Sequence, residues 1–260
     1  MTSHSGSDGH IGTKAQQRHR RAFSLLELLV VIAIIAILIS VGFPSLRGAR
    51  LQARRITCAG HLRQWGLALQ MYRDDYRDYL PTEGTYLDLE KPYTWFNELP
   101  PILDVPPYKD VEKIGDQIRE FPNLHVWICP SKYLSDLHKS TTGKNQFHYG
   151  MNRVLDGTGK KDGGSITPGF PDQGDDPIQA RRFAKKLNTV YMFDIYPNSP
   201  HGDPGDAGAF HEGSANVLFL TGRVQHFSAD NFVVDGDRKR GEIIWDNPDL
   251  YWGYLPPKKP

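Results

Sequence analysis

Phe23-Ser24-Leu25-Leu26-Glu27-Leu28-Leu29-Val30-Val31-Ile32-Ala33-Ile34-Ile35-Ala36-Ile37-Leu38-Ile39-Ser40-Val41-Gly42-Phe43 decides how this chain is built. From Leu28 to Ile39 every residue is apolar, and Glu27 is the one charge in the stretch. At a rise of 1.5 Å per residue, roughly twenty residues cover the ~30 Å hydrocarbon core of a bilayer. Lipid offers backbone groups no hydrogen-bond partners, so a single crossing segment has to be a helix. A carboxylate at that depth costs on the order of 2.5 kcal/mol or more, which marks Glu27 as a functional residue in need of a cationic partner.

Working outward toward the amino terminus, residues 1–22 are polar and carry Lys14, Arg18, Arg20 and Arg21 against a single acid, Asp8. Basic residues beside a first span hold that end on the cytoplasmic side. A secretory signal peptide shares the basic start, but its apolar core is shorter and ends at a small-residue cleavage site. Here the apolar run continues into a helical pattern, which argues against one.

On the other side, Pro44 removes a helical hydrogen bond and is expected to kink or loosen the helix. The pattern then resumes. Leu51, Arg55, Cys58, Leu62, Trp65, Leu69, Tyr72 and Tyr76 recur at spacings of four and three, an apolar stripe broken only by Arg55. Arg47, Arg50, Arg54 and Arg63 lie off that stripe. The reading is one helix from Phe23 to about Tyr79, roughly 80 Å long. Its first part (23–43) crosses the membrane, and an amphipathic continuation (44–80) packs its stripe on a head formed by residues 81–260.

The head starts after Pro81 with a stretch to Glu120 that has no sustained period. Pro92, Pro100, Pro101, Pro106 and Pro107 predict a surface excursion there. Tyr93, Trp95 and Phe96 within it either pin the loop to the body or form a carbohydrate-stacking platform. Short β signals follow at His125–Cys129, Phe147–Met151 and Thr189–Asp194. Asn216–Leu220 and Arg223–Phe227 read as a hairpin with Thr221-Gly222 as a two-residue turn, and Gly241–Trp245 as an edge strand. The stretch 156–177, rich in Gly, Asp and Pro, reads as a long loop. The predicted class is α+β, a long amino-terminal helix on a small antiparallel sheet.

Arg20-Arg21-Ala22-Phe23-Ser24-Leu25-Leu26-Glu27 resembles the processing signal of type IV prepilins and type II secretion pseudopilins. The resemblance implies a pilin-like fold and cleavage by a prepilin peptidase between Ala22 and Phe23. It also implies methylation of the new amino terminus and assembly through the helix. Phe23 becomes mature residue one, Glu27 residue five and Pro44 residue twenty-two, where many pilins also carry proline. The family's residue before the cut is usually Gly, and this chain has Ala22. The implied role of Glu27 is to pair with the new ammonium group, its own or a neighbour's, and so to set axial register in a helical bundle. The implied partners are other pilin-like subunits, the same or different, the peptidase, an inner-membrane assembly platform and the membrane itself. The implied topology is single-pass, with the amino terminus cytoplasmic and the head periplasmic, passing into a secretion or pilus-like filament.

A second resemblance rests on Cys58 with Leu62-Arg63-Gln64, on Cys129-Pro130-Ser131, on Tyr149-Gly150-Met151-Asn152, and on His211 before the hairpin. These are similar to a large-headed pseudopilin subfamily in which a His is followed, nine residues on, by Asp-Gly. Here His211 is followed by Thr221-Gly222, so the acid is replaced while Gly222 keeps the turn.

The implied topology puts Cys58 and Cys129 in an oxidising compartment. A Cys58–Cys129 bridge closing a loop of about 70 residues would contribute about 3–4 kcal/mol in the entropy model. Two buried free thiols are the alternative. Major pseudopilins often bind calcium in late loops, and the resemblance makes Asp203, Asp206, Asp235 and Asp237 the candidate oxygen donors, with no spacing that selects among them. His201, Asp203, Asp206, His211 and Glu212 cluster in a Gly-rich stretch, which also suits the alternative of a membrane-anchored periplasmic binding module or metal-dependent hydrolase using the pilin-like segment only for export. However, neither a His-Glu-x-x-His ligand motif nor a Gly-x-Ser-x-Gly elbow occurs, so no enzyme is predicted. The whole chain carries a net charge of +1, and without residues 1–22 it has 27 Lys and Arg against 29 Asp and Glu. That balance speaks against a nucleic-acid partner.

Overall fold

A computed structural model describes residues 24–84, 89–111, 122–133, 147–155, 178–196, 199–233, 243–244 and 247–253. The side chains of 41–45 and 122–124 lie outside this description. The chain divides into two compact units, Met1–Arg47 and Gly48–Pro260. Helix α1, Leu25–Asp75, contributes to both.

In the first unit, the large apolar side chains between Leu25 and Ile39 are 46–86% exposed. Among the described residues no helix is long and apolar enough to cross a membrane. The described apolar side chains run from Leu25 to Ile39, which spans about 22 Å of helix.

The second unit is built as the stripe anticipated. Cys58, Leu62, Trp65, Leu69 and Tyr72 are buried, while Leu51 and Arg55 are half-buried at one end and Tyr76 is exposed at the other. The helix stops at Asp75, before Pro81, because Arg77 and Asp78 take left-handed backbone angles (φ 53° and 68°). The Asp78 N–H caps the Arg73 carbonyl at 2.7 Å, and the Arg73 guanidinium grips the Asp78 carboxylate at 2.5 Å.

Five strands form one sheet in the order β3-β1-β2-β4-β5. They are β1 (Tyr149–Asn152), β2 (Val190–Asp194), β3 (His201–Gly202), β4 (Ser214–Phe219) and β5 (Val224–Ser228). All pairings are antiparallel except β1 with β3, which is parallel, with Met151 opposite His201. β2 is buried along its whole length, as its run of apolar residues requires when both faces are covered. Tyr191 and Met192 face the helix side, together with Trp65, Leu69 and Leu218. Val190 and Phe193 belong to a second core with Val217, Phe219, Phe232, Leu250 and Trp252. The register shift between Val190 and Met192 in the pairing with β4 accompanies this division.

Three expectations are corrected. First, the proline-rich stretch after Pro81 is core: helix α2 (Trp95–Ile102) and the turn Tyr108–Asp110 bury Trp95, Phe96, Leu99 and Tyr108. Trp65, Trp95, Phe96, Tyr108, Trp127 and Phe147 pack edge-to-face, tilted or stacked, with centroids 4.5–6.4 Å apart. Trp95 and Phe96 therefore pin the segment down, and only Tyr93 is exposed. Second, His125–Cys129 is not a strand. A 3₁₀ segment, Pro122–Trp127, places Trp127 in the aromatic cluster and offers the Val126 carbonyl to the Trp65 indole N–H at 3.2 Å. Third, the hairpin loop has three residues, Leu220-Thr221-Gly222, closed by Gly222 N–H to Phe219 O at 2.9 Å. Gly222 sits at φ +81°, the left-handed position that such a loop gives to glycine. Of the expected edge strand 241–245, Ile243 forms an isolated bridge with Val233, and 241–242 and 245 lie outside the described residues.

A short helical turn, Pro130–Tyr133, buries Lys132 completely, with its ammonium group donating to the carbonyls of Phe147 (2.6 Å) and Ile195 (2.9 Å). The lysine ties the turn to the start of β1 and the end of β2.

Candidate functional site

The start of α1 is one place where sequence reasoning puts function. Ala22 and Phe23 lie outside the described residues. Glu27 is exposed, and its carboxylate turns back to accept the Ser24 backbone N–H at 3.0 Å, while Ser24 Oγ accepts the N–H of Leu26. Both satisfy donors that the first turn of a helix leaves open, and a negative charge there suits the helix dipole. Pro44 lies inside the helix; its side chain is outside the description.

The second place is inside the head. Cys58 comes from the buried stripe of α1, Cys129 from the link into the Pro130 turn, and His211 from the loop before β4. Their ligand atoms lie within 4.8 Å of one another, and all three residues are buried. His211 Nε2 is 3.5 Å from Cys129 Sγ and 3.1 Å from Asp194 Oδ2, while Nδ1 is 3.1 Å from Ser131 Oγ. Asp194 ends β2 at zero exposure. Its Oδ2 also accepts the Asn216 N–H at 2.7 Å, and its Oδ1 has no partner among the described residues. The Tyr149 hydroxyl lies 3.2 Å from His61 Nδ1. Cys129 is held by its own N–H, which donates to His148 Nδ1 at 3.0 Å.

The electrostatics follow from this packing. Burial works against a charged His211, but its hydrogen bonds to Asp194 and Cys129 outweigh that and raise its pKa to about 10. Burial would push the Cys129 thiol up, and the hydrogen bond from Cys58 together with the His211 imidazolium brings it down to about 7. Cys58 goes the other way: burial, then the adjacent Cys129, holds it protonated. The arrangement is not a proton relay, because Cys129 and Asp194 meet the same imidazole nitrogen rather than opposite ones.

Cys58 and Cys129, named above as a bridge or as free thiols, are unbonded neighbours in this structure. His211 and Gly222 prove to stand at opposite ends of β4, so the nine-residue spacing of the motif is one strand and its loop. The two residues have separate duties, one in the buried cluster and one in the turn. Asp203 pairs with Arg153 at 2.8 Å and caps the turn Pro204–Asp206, with Asp206 capping in return. Asp235 and Asp237 lie outside the described residues. His201 is not part of the His211 cluster; its Nδ1 bonds the Gly84 carbonyl at 2.7 Å. Asp194 is the member that sequence reasoning passed over as the end of a strand, although an acid closing an apolar strand is a signal of a buried charge.

Residues 47–182, more than half the chain, match the family described as "Protein of unknown function (DUF1559)". The chain belongs to that family. Residues 17–43 match the family described as "Prokaryotic N-terminal methylation motif", which makes this a prepilin-like protein. The chain is also 36% identical over 72 residues to the type IV wide pilus major component PilA4 of Thermus thermophilus. That likeness covers 28% of this chain, and the chain spans about half the length (55%) of that relative. No solved structure matches.

Proposed function

We propose that this protein is a subunit of a type II secretion or type IV pilus-like filament, cleaved after Ala22 and methylated on Phe23. The observation that carries the reading is the uncovered apolar surface from Leu25 to Ile39, whose one acid, Glu27, is turned toward the helix start. Apolar surface of that extent is stable only in lipid or against other copies of itself. Before assembly the helix anchors the chain in the inner membrane with the head in the periplasm. On assembly, neighbouring helices replace the lipid and the Glu27 carboxylate meets the new ammonium group at Phe23, which fixes axial register. Repetition of one head-to-tail contact gives an open filament. The methylation-motif match and the likeness to a pilus component support this reading.

The test is the intact mass of the protein extracted from membranes, together with filament recovery for wild type and Glu27→Ala. Loss of residues 1–22 plus one methyl group, with filaments lost in Glu27→Ala, is the expected result. An uncleaved, unmethylated mass overturns the proposal, and wild-type yields of Glu27→Ala filaments overturn the register role.

A further inference from the structure

We propose that Cys58, Cys129, His211 and Asp194 form a buried structural site for a divalent, borderline-soft cation, zinc by preference, in the head.

The donor set is two sulfurs, an imidazole nitrogen and a carboxylate oxygen, the combination that suits tetrahedral zinc and not calcium or magnesium. A tetrahedral ion with Zn–S of about 2.3 Å and Zn–N and Zn–O of about 2.0 Å holds its S and N ligands roughly 3.5 Å apart and its N and O ligands roughly 3.3 Å apart. The corresponding separation for Cys129 Sγ to His211 Nε2 is 3.5 Å, and the ligand atoms of Cys58, Cys129 and His211 all lie within 4.8 Å of one another; Asp194 Oδ2 stands outside that group, 3.1 Å from Nε2, and would close on the ion as the fourth ligand.

The outer contacts are those of a metal–thiolate site. His211 turns Nε2 inward and holds Nδ1 against Ser131 Oγ at 3.1 Å, so the nitrogen left after ligation keeps a hydrogen-bond partner. Asp194 Oδ2 keeps the Asn216 N–H through one lone pair and has another free for the ion.

Charge balance points the same way. Without a cation, Nε2 has one proton to divide between a sulfur and a carboxylate, and Asp194 Oδ1 stays buried without a partner among the described residues. With one, the dication displaces the two thiol protons and the proton on Nε2, and the resulting anions surround a positive centre. The site also has a side facing the surface: His226, whose ring lies 6.4 Å from that of His211, lines a cavity of about 170 Å³ with Arg55, Arg63 and Asn216. The site staples α1 to β2 and to the loop before β4, independently of how the amino-terminal helix assembles.

The experiment uses the full-length protein, purified in detergent without chelator and without added metal. Metal content is read by plasma mass spectrometry and thiol state by alkylation under denaturing conditions followed by intact mass. About one zinc per chain with two alkylatable thiols is expected, falling to background in Cys58→Ser and His211→Gln and unchanged in His201→Gln. In case the cysteine variant fails to fold, wild-type protein is stripped, reduced and reloaded with cobalt(II). Thiolate-to-cobalt charge transfer with strong four-coordinate visible bands supports the site. A Cys58–Cys129 disulfide in the isolated protein, or a cobalt spectrum lacking thiolate charge transfer, overturns it.

Discussion

Two glycines in the same helix face different surroundings, and exchanging each for alanine isolates what the packing of α1 on the sheet contributes. A Cβ at Gly60 meets nothing within 4 Å, so Gly60→Ala gains helix propensity alone, about 0.5–1 kcal/mol. A Cβ at Gly66 meets Leu218 Cδ1 at 2.8 Å and the Gly222 Cα at 3.5 Å. Carbon pairs prefer about 3.5–4.0 Å, so Leu218 has to give way. It has little freedom to do so, because it lies in β4 at zero exposure. Overpacking of this kind costs about 1–3 kcal/mol, which cancels or exceeds the propensity gain. The two variants are therefore expected to differ by roughly 2 kcal/mol, with Gly60→Ala above wild type and Gly66→Ala at or below it. Urea unfolding of the full chain in detergent reads this directly; at a slope of about 2 kcal/mol per M the midpoints separate by roughly 1 M. Equal stabilisation by the two substitutions refutes the close approach of α1 to β4 at Gly66.

Trp65→Ala removes the centre of the aromatic cluster and leaves the Val126 carbonyl without its indole donor, so a loss of about 3–5 kcal/mol in the same unfolding assay is expected. Gly222→Val, forced to φ +81°, is expected to lose about 1–2 kcal/mol or more, and Gly222→Asn distinctly less, measured as the shift in thermal midpoint. His61 is held below its ordinary pKa of 6.5, chiefly by burial and also by His125, against its bond to the Ile128 carbonyl and the Asp194 charge; its Nδ1 also faces the Tyr149 hydroxyl. A base that binds its proton less readily when folded gives full stability above about pH 6.5 and loses it as pH falls toward the lowered value. Relative to His61→Gln, the wild-type urea midpoint is therefore expected to lose ground as pH falls from about 7.5 to 5.5. The slope common to both proteins combines His226, lowered by burial and by Arg55, with His211, whose raised pKa acts in the opposite sense.

The helix was legible because a packed helix writes its burial at one repeating interval, and Cys58, Leu62, Trp65, Leu69 and Tyr72 all fall on it. The β2 and β4 strands were legible as short apolar runs, which is how a strand covered on both faces reads. The region 95–110 was misread because Pro100 and Pro101 argue locally for a surface loop, while the burial of Trp95, Phe96 and Tyr108 depends on partners as distant as Trp127 and Phe147. The hairpin was placed correctly but its loop was one residue short, since Gly222 fits either turn and only the hydrogen bond to Phe219 distinguishes them. The cluster around His211 was named piecemeal: Cys58, Cys129 and His211 lie on three separate elements, so no local spacing announces their meeting.

Lys132 offers a clock. Its side chain has zero exposure, and both carbonyls its amine bonds belong to the segments flanking β1 and β2. A reagent that modifies amines reaches it only when the Pro130 turn lifts off the end of the sheet, whereas exposed lysines react at once. The rate of modification at that one residue, set against the others, therefore counts openings of the head under native conditions, without denaturant.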